Sequence, residues 1–220
     1  ELLVKEESLV YEPAKRYYAE IMMPFRKIIQ KNLKQVEDLA LKFIAPSHGP
    51  IYSNPKFIIN AYKEWIADKP RNQVVIPYVS MHGSTQKMVD HLVQALALKN
   101  IEVYPFNLAV TDIGKLAMSL VEAATIIIGS PTILTGLHPL VAEALFLVNA
   151  LRPKAMFAGL VGSYGWKSRA LDQLKAMLDN VRFELLPPVM IKGDPKPKDL
   201  ELIENLAEEI YNKHLKAGLV

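Results

Sequence analysis

Apolar residues between Gln73 and the C-terminus recur in short β-branched runs, and the stretches between these runs show helical periodicity. The runs are nearly continuous in apolar character, which is typical of strands covered by helices on both faces. We predict five strands, at residues 73–79, 101–106, 124–129, 154–162 and around 187–193. Strands that alternate with helices in this way predict an α/β fold with a parallel sheet.

Two of the intervening helices have a clear apolar face. The face of the first consists of Thr85, Met88, Val89, Leu92 and Leu96. The face of the last consists of Leu200, Ile203, Ala207 and Ile210. The whole order matches the flavodoxin-like doubly wound arrangement, in which ligands bind beyond the carboxyl ends of the strands. We therefore look for chemistry in the loops that follow the strands.

The first seventy residues are organised differently. We predict a helix over 14–36, interrupted at Pro24, with one apolar side made of Tyr18, Ile21, Met22, Phe25 and Ile29. A short strand at 41–46 and a turn at 47–50 follow, and a second helix starts at Pro55 with Asn54 as its cap. One strand and two helices cannot enclose a core by themselves. We therefore expect residues 1–68 to be the C-terminal segment of a larger domain and residues 69–220 to be the α/β domain.

The loop after the first strand has the chemistry of a phosphate site. It enters a helix and offers hydroxyl groups, backbone N–H groups and the positive end of the helix dipole. Its candidate ligand-binding residues are Ser80, Met81, His82, Gly83, Ser84 and Thr85. The sequence contains neither G-x-x-x-x-G-K-[ST] nor G-x-G-x-x-G, so nucleotide-triphosphate and dinucleotide loops are excluded. An ordinary Ser/Thr helix cap remains the alternative interpretation of this loop.

Two further loops follow the third and fourth strands and leave the same edge of the sheet. Both combine small residues, which allow close backbone approach, with flat or apolar side chains that could border a ring. The candidates in the first are Pro131, Thr132, Ile133, Leu134, Thr135 and Gly136. Those in the second are Ser163, Tyr164, Gly165, Trp166, Lys167 and Ser168. Taken alone, Trp166 also fits a surface aromatic that packs on its own helix.

Composition narrows the chemistry further. The 220 residues include no cysteine, which excludes thiolate metal sites, iron–sulfur clusters and cysteine nucleophiles. A net charge of +3, scattered in both signs, does not indicate a nucleic-acid partner. No long uncharged apolar run is present, so we expect a cytoplasmic protein that does not enter a membrane. The sequence begins with Glu1, and we expect an upstream part on the same or another polypeptide.

Four ordered motifs resemble the C-terminal half of a flavodiiron protein (A-type flavoprotein). They are APSHGPIY at 45–52, YVSMHGST at 78–85, GSPTILTG at 129–136 and GSYGW at 162–166. The second resembles the flavodoxin phosphate fingerprint T-x-T-G-x-T, with His82 in place of the middle hydroxyl residue. The resemblance covers essentially the whole chain, and it implies that the three loops bind FMN.

In that family a metallo-β-lactamase-like domain with a non-haem diiron centre precedes the flavodoxin domain. The resemblance implies that His48, in the Ser47–Gly49 turn, is an iron ligand. A lone histidine in such a turn is otherwise more often a hydrogen-bonded surface residue. The family's other ligands, an H-x-E-x-D-H cluster, a further histidine and a bridging aspartate, have no equivalent in residues 1–47. The upstream half or another polypeptide must therefore supply them.

The resemblance implies an oxidoreductase in which FMN passes electrons to the diiron site, where oxygen is reduced to water or nitric oxide to nitrous oxide. It also implies an external donor, either a rubredoxin-like protein or a reduced deazaflavin coenzyme, and a head-to-tail homodimer or tetramer. The alternative is a flavodoxin-like electron shuttle without metal chemistry of its own. A response-regulator receiver is excluded because Val79–Ser80 and Ser130–Pro131 lack the required acids.

Overall fold

The computed structural model describes residues 2–36 and 39–220, so Glu1, Glu37 and Asp38 of the predicted N-terminal segment lie outside the described residues. The helices are α1 Glu7–Tyr17, α2 Arg26–Val36, α3 Pro55–Ile66, α4 Ser84–Ala97, α5 Ile113–Leu120, α6 Pro139–Leu151, α7 Ala170–Met177 and α8 Pro197–Lys216. The strands are β1 Gln73–Tyr78, β2 Glu102–Asn107, β3 Thr125–Pro131, β4 Phe157–Tyr164, β5 Glu184–Leu185 and β6 Val189–Lys192.

The strands form one parallel sheet in the order β2-β1-β3-β4-β5, and β6 also pairs with β4. The short strands β5 and β6 therefore share the fifth position of the sheet. Pro187 and Pro188 lie between them, and a proline has no N–H to donate to a sheet ladder. The predicted five-stranded, flavodoxin-like doubly wound sheet is confirmed, with its fifth strand in two pieces.

Helices cover both faces of this sheet. Helices α4 and α8 pack together against one face, and the five residues predicted to share the inner face of α4 are all buried. Three of the four predicted residues of α8 are buried as well, whereas Leu200 is half-buried. Helices α5, α6 and α7 contribute to the core on the opposite face. The helical periodicity therefore identified the sides that form the core.

The predicted long N-terminal helix is in fact four helical pieces. Helix α1 starts at Glu7, earlier than predicted, and is followed by a π-helical turn at Tyr18–Met22 and a 3₁₀ turn at Met23–Phe25 that contains Pro24. The predicted apolar side was partly wrong, because Ile21 and Phe25 are exposed while Tyr18 and its neighbours Ala19 and Met23 are buried. A π turn has more residues per turn than an α-helix, so it rotates the buried side.

The prediction for residues 41–46 was also wrong in detail. No continuous strand forms there, and Ile44 makes an isolated antiparallel bridge to Tyr52. Pro55 is the first residue of α3 as predicted, but the Asn54 side chain does not cap the helix. Its amide donates to a Glu7 carboxylate oxygen at 2.8 Å, and a charged acceptor makes the stronger bond.

The N-terminal helices share a hydrophobic core with α5 and α6, and Tyr18 and Trp65 are fully buried within it. Contacts of buried charged side chains also join the N-terminal segment to the α/β domain. The buried Glu122 carboxylate of the α/β domain binds the Lys15 ammonium of α1 at 2.6 Å. Lys154 donates to the carbonyl of Ala67 at 3.0 Å, and burial lowers the pKa of this lysine to about 8. Among the described helices, none has the length and apolarity needed to cross a membrane.

Candidate functional site

A cavity of about 410 Å³ lies where the loops after β1, β3 and β4 meet at the carboxyl edge of the sheet. All three predicted loops contribute to its wall. The lining residues are Ser80, Met81, His82, Ser84, Thr85, Pro131, Thr132, Ile133, Ser163, Tyr164, Gly165, Gly193 and Asp194. Eleven of these thirteen are predicted site residues, while Gly193 and Asp194 are not. This position is the switch point at which doubly wound sheets bind ligands.

The first loop turns sharply into α4. Gly83 has φ +90°, a left-handed conformation in which other residues are strained. A Cβ at this position would meet no neighbouring atom, so the backbone conformation, and not a lack of space, favours glycine here. The Ser80 Oγ accepts from the backbone N–H of Gln86 at 3.1 Å, so Ser80 caps the first turn of α4. Its own hydrogen can still be donated into the cavity. The capping alternative and the phosphate role are therefore compatible for Ser80.

Thr85 is buried without a hydrogen-bond partner for its side chain among the described residues. Its side chain is 1% exposed, it lines the cavity, and its Oγ1 has no hydrogen-bond partner among the described residues. Buried hydroxyl groups are nearly always paired, because an unpaired one costs about 1–3 kcal/mol. The first-turn N–H groups of Ser84 and Thr85 also have no acceptor within the helix. Together these donors suit a phosphate oxygen, so the residues fit the phosphate end of FMN.

Ser84 has a partner in the loop after β6, far from it in the sequence. Its hydroxyl donates to Asp194 Oδ1 at 3.2 Å, and Lys87 of α4 binds Asp194 Oδ2 at 2.7 Å. The Lys87 ammonium holds the pKa of the Asp194 carboxyl below its ordinary value. Gly193 and Asp194 follow β6 directly, so the rule that ligands bind beyond strand ends could have identified them. The pairing itself joins residues too far apart in sequence for any local pattern to show.

The second loop is a tight turn held from both sides. Ile133 and Gly136 exchange two backbone hydrogen bonds of 2.9 and 2.8 Å, and Leu134 and Thr135 between them have φ +48° and +70°. The Arg169 N–H donates to the Thr135 carbonyl at 2.6 Å and holds this strained turn in place. Pro131, Thr132 and Ile133 line the cavity, whereas Leu134, Thr135 and Gly136 lie outside the lining.

The third loop is tied to the second. The Thr132 N–H donates to the Ser163 carbonyl at 2.8 Å, and the Thr132 hydroxyl donates to Ser168 Oγ at 3.0 Å. The cavity lining includes Ser163, Tyr164 and Gly165 of this loop but not Trp166, Lys167 or Ser168. It also omits Gly83 of the first loop. Trp166 is 85% exposed, which agrees with a surface aromatic as much as with a ring-flanking role. The connection between the two loops keeps their backbone atoms in fixed positions along one wall.

His48 lies apart from this cavity. It is exposed in the Ser47–Gly49 turn, where Gly49 has φ +91°, and its ring centroid is 5.6 Å from that of Tyr17. It lines a second, mostly apolar cavity of about 570 Å³ formed by the N-terminal segment. Residues 2–36 and 39–220 contain no group of three or more His, Cys, Asp or Glu that could hold a metal. The described residues therefore do not fit a diiron centre, and His48 as a single iron ligand stays a prediction.

Comparison with known proteins adds independent information. No protein-family model matches the chain. The chain is 34% identical over 210 residues to a nitric oxide reductase of Moorella thermoacetica, covering 93% of this chain and 53% of that protein. It is 28% identical over 219 residues to an anaerobic nitric oxide reductase flavorubredoxin of Escherichia coli, covering 97% and 46%.

A solved structure shows the same similarity at the level of the fold. The fold matches that of a rubredoxin oxygen:oxidoreductase from Desulfovibrio gigas with a TM-score of 0.90 and 26% sequence identity. This match covers 100% of the present chain and 57% of the solved one. The chain therefore spans about half the length of the proteins it matches.

Proposed function

Since this chain is homologous to the flavodiiron proteins over its whole length and matches their flavodoxin-like half, we propose that it binds FMN and delivers electrons to a non-haem diiron site. The observation that carries the FMN part is Thr85, whose buried Oγ1 has no partner among the described residues and lines the cavity. A phosphate oxygen is the acceptor that this hydroxyl lacks. The surrounding hydroxyls and helix N–H groups serve the same anion.

In this proposal each part of the wall has a separate task. The hydroxyls of Ser80, Ser84 and Thr85 and the N–H groups at the start of α4 hold the phosphate. The backbone of Pro131–Gly136 and Ser163–Trp166 offers N–H and C=O groups to the polar edge of the flavin ring. FMN, when bound, supplies reversible electron transfer, and the protein sets its orientation and potential.

The side chains that flank the ring are proposed from their positions beside the cavity. His82 and Met81 lie on the first loop and line the cavity directly. Trp166 lies on the third loop and is exposed, so it is available to cover a ring that extends beyond the cavity mouth. Lys167 and Ser168 belong to the same loop, and Ser168 acts through its bond to Thr132.

We further propose that His48 contributes one ligand to a diiron centre whose remaining ligands lie outside the described residues. The acceptor is oxygen or nitric oxide: the names of the Moorella and Escherichia relatives support nitric oxide, and the name of the Desulfovibrio structure supports oxygen. The electron donor is a rubredoxin-like protein or a reduced deazaflavin coenzyme. A head-to-tail homodimer or a tetramer would bring the flavin of one subunit to the iron of another.

A second candidate is an electron shuttle without metal chemistry. The observation that favours it is that the candidate flavin cavity is lined, among the described residues, by the α/β domain alone, without any residue of the N-terminal segment that holds His48. Metal and flavin analysis of the full-length natural protein distinguishes the two functions. The oxidase predicts iron and FMN in a ratio of about two to one, while the shuttle predicts full FMN occupancy without iron.

Reoxidation kinetics complete the test. The full-length protein is reduced under anaerobic conditions and then mixed with oxygen or with nitric oxide while flavin absorbance is followed. The oxidase predicts that removal of iron by a chelator slows reoxidation by at least one of these acceptors. Equal rates with and without iron for both acceptors would contradict the diiron proposal and leave the shuttle.

A further inference from the structure

A carboxylate at the phosphate end of the cavity has the wrong sign for a phosphate ligand. Asp194 lines the cavity, and no lysine or arginine is among the lining residues that the structure describes. FMN ends in a phosphate monoester that carries close to two negative charges at neutral pH. A carboxylate beside such a dianion repels it and weakens its binding.

Asp194 also engages the groups that a phosphate needs. Ser84 has a single hydroxyl hydrogen, and it is donated to Asp194 Oδ1 at 3.2 Å. The Lys87 ammonium of α4 binds Asp194 Oδ2 at 2.7 Å. A phosphate and the carboxylate would therefore compete for one hydroxyl and one ammonium group.

We propose that Asp194 is a specificity-determining residue that opposes the flavin phosphate, and that Lys87 becomes a phosphate ligand when this carboxylate is removed. This inference rests on the proposed FMN site. The group that limits phosphate affinity is then the Asp194 carboxylate, in the loop after β6, and none of the four motifs includes this loop. The consequence is that the protein holds FMN less tightly than its hydroxyl and N–H groups allow.

Removal of the carboxylate tests this inference directly. In D194N we expect FMN to bind about tenfold more tightly, since a unit charge facing a dianion a few ångströms away in water accounts for a factor of that order. Riboflavin has the same ring and no phosphate, so its affinity should not change. Dissociation constants for both flavins come from quenching of flavin fluorescence during titration of the flavin-free chain.

A matched control separates this local effect from a change in net charge. Glu208 of α8 pairs with Lys99, which follows α4, in a surface ion pair like that of Asp194 and Lys87, and it does not line the cavity. E208Q should leave the affinity for both flavins unchanged. The Asp194 side chain is 57% exposed, so D194N should fold normally, and D194S provides a second variant with the same expected gain.

Each outcome either supports this inference, overturns it, or overturns the proposed function. Tighter FMN binding with unchanged riboflavin binding supports the inference. Unchanged or weaker FMN binding in both D194N and D194S would overturn it, because Asp194 would then merely position Ser84 and Lys87. An equal gain for riboflavin would also overturn it. If the unmodified chain binds neither flavin, the proposed function fails first, and that result is separate from a wild type that binds FMN while the variants show no gain.

Discussion

Replacing Thr85 with valine should stabilise the flavin-free protein and at the same time weaken FMN binding. Valine has nearly the same shape as threonine, and the buried Oγ1 that it removes has no partner among the described residues. An unsatisfied buried hydroxyl costs about 1–3 kcal/mol, so T85V should gain on the order of 1 kcal/mol of unfolding free energy. The lost bond to a phosphate should cost about 1.5–3 kcal/mol of binding, or roughly 10- to 150-fold in affinity.

Two assays measure the opposing effects. Urea denaturation of the flavin-free chain gives the change in unfolding free energy, and fluorescence titration gives the FMN dissociation constant. Thr125 is the matched control because it is also a buried threonine, but its Oγ1 is 2.7 Å from His214 Nε2. T125V leaves this nitrogen without its partner and should destabilise the protein by about 1–3 kcal/mol.

T85V and T125V should change the free energy of unfolding in opposite directions. A loss of stability in T85V would mean that its hydroxyl has a structural partner. Unchanged FMN affinity would mean that the phosphate lies elsewhere, even if the stability gain appeared as expected.

Two further predictions concern the scaffold. Burial lowers the pKa of His214 from 6.5 to about 4, so its contribution to stability is present above pH 6.5 and is lost as the pH falls toward about 4. The loss is on the order of 3 kcal/mol, and urea titrations should show the stability gap between wild type and H214Q shrinking over this range; a constant gap would contradict it. In G162A the new Cβ would lie 2.2 Å from the Ser130 carbonyl oxygen, so β3 and β4 must separate. We expect a loss of about 1–3 kcal/mol in the same denaturation assay, and wild-type stability would refute the close contact.

The fold was largely predictable because its core elements are locally consistent. The runs at 124–129 and 154–162 are long and apolar, and the structure has β3 and β4 there with boundaries shifted by a few residues. Strand β5 was missed because it has two residues, Glu184 and Leu185, and no apolar run. The π turn at Tyr18–Met22 was missed because its register depends on packing against α5 and α6, which no local periodicity encodes.

The candidate site was predictable to the extent that it depends on strand ends. The three predicted loops do meet in one cavity, because parallel strands bring their carboxyl ends to one edge. Which loop residues face the cavity was not predictable, because the positive φ angles of Leu134 and Thr135 belong to a turn held by Arg169 from a distant part of the chain, and both residues lie outside the cavity lining. The carboxylate of Asp194 was missed because its bonds to Ser84 and Lys87 join distant parts of the chain. The role of each residue toward FMN remains a prediction.

Identification of the flavin that this chain binds would decide whether the cavity at the sheet edge is an FMN site. The purified chain is saturated with a mixture of FMN, FAD and riboflavin, freed of unbound flavin and denatured, and the released flavin is separated and quantified. We expect FMN to be released, at about one molecule per chain, because the described residues form one cavity at the carboxyl edge of the sheet that fits both a phosphate and a ring. A chain that stays colourless and releases no flavin, or that releases FAD in preference, would show that the cavity is not an FMN site.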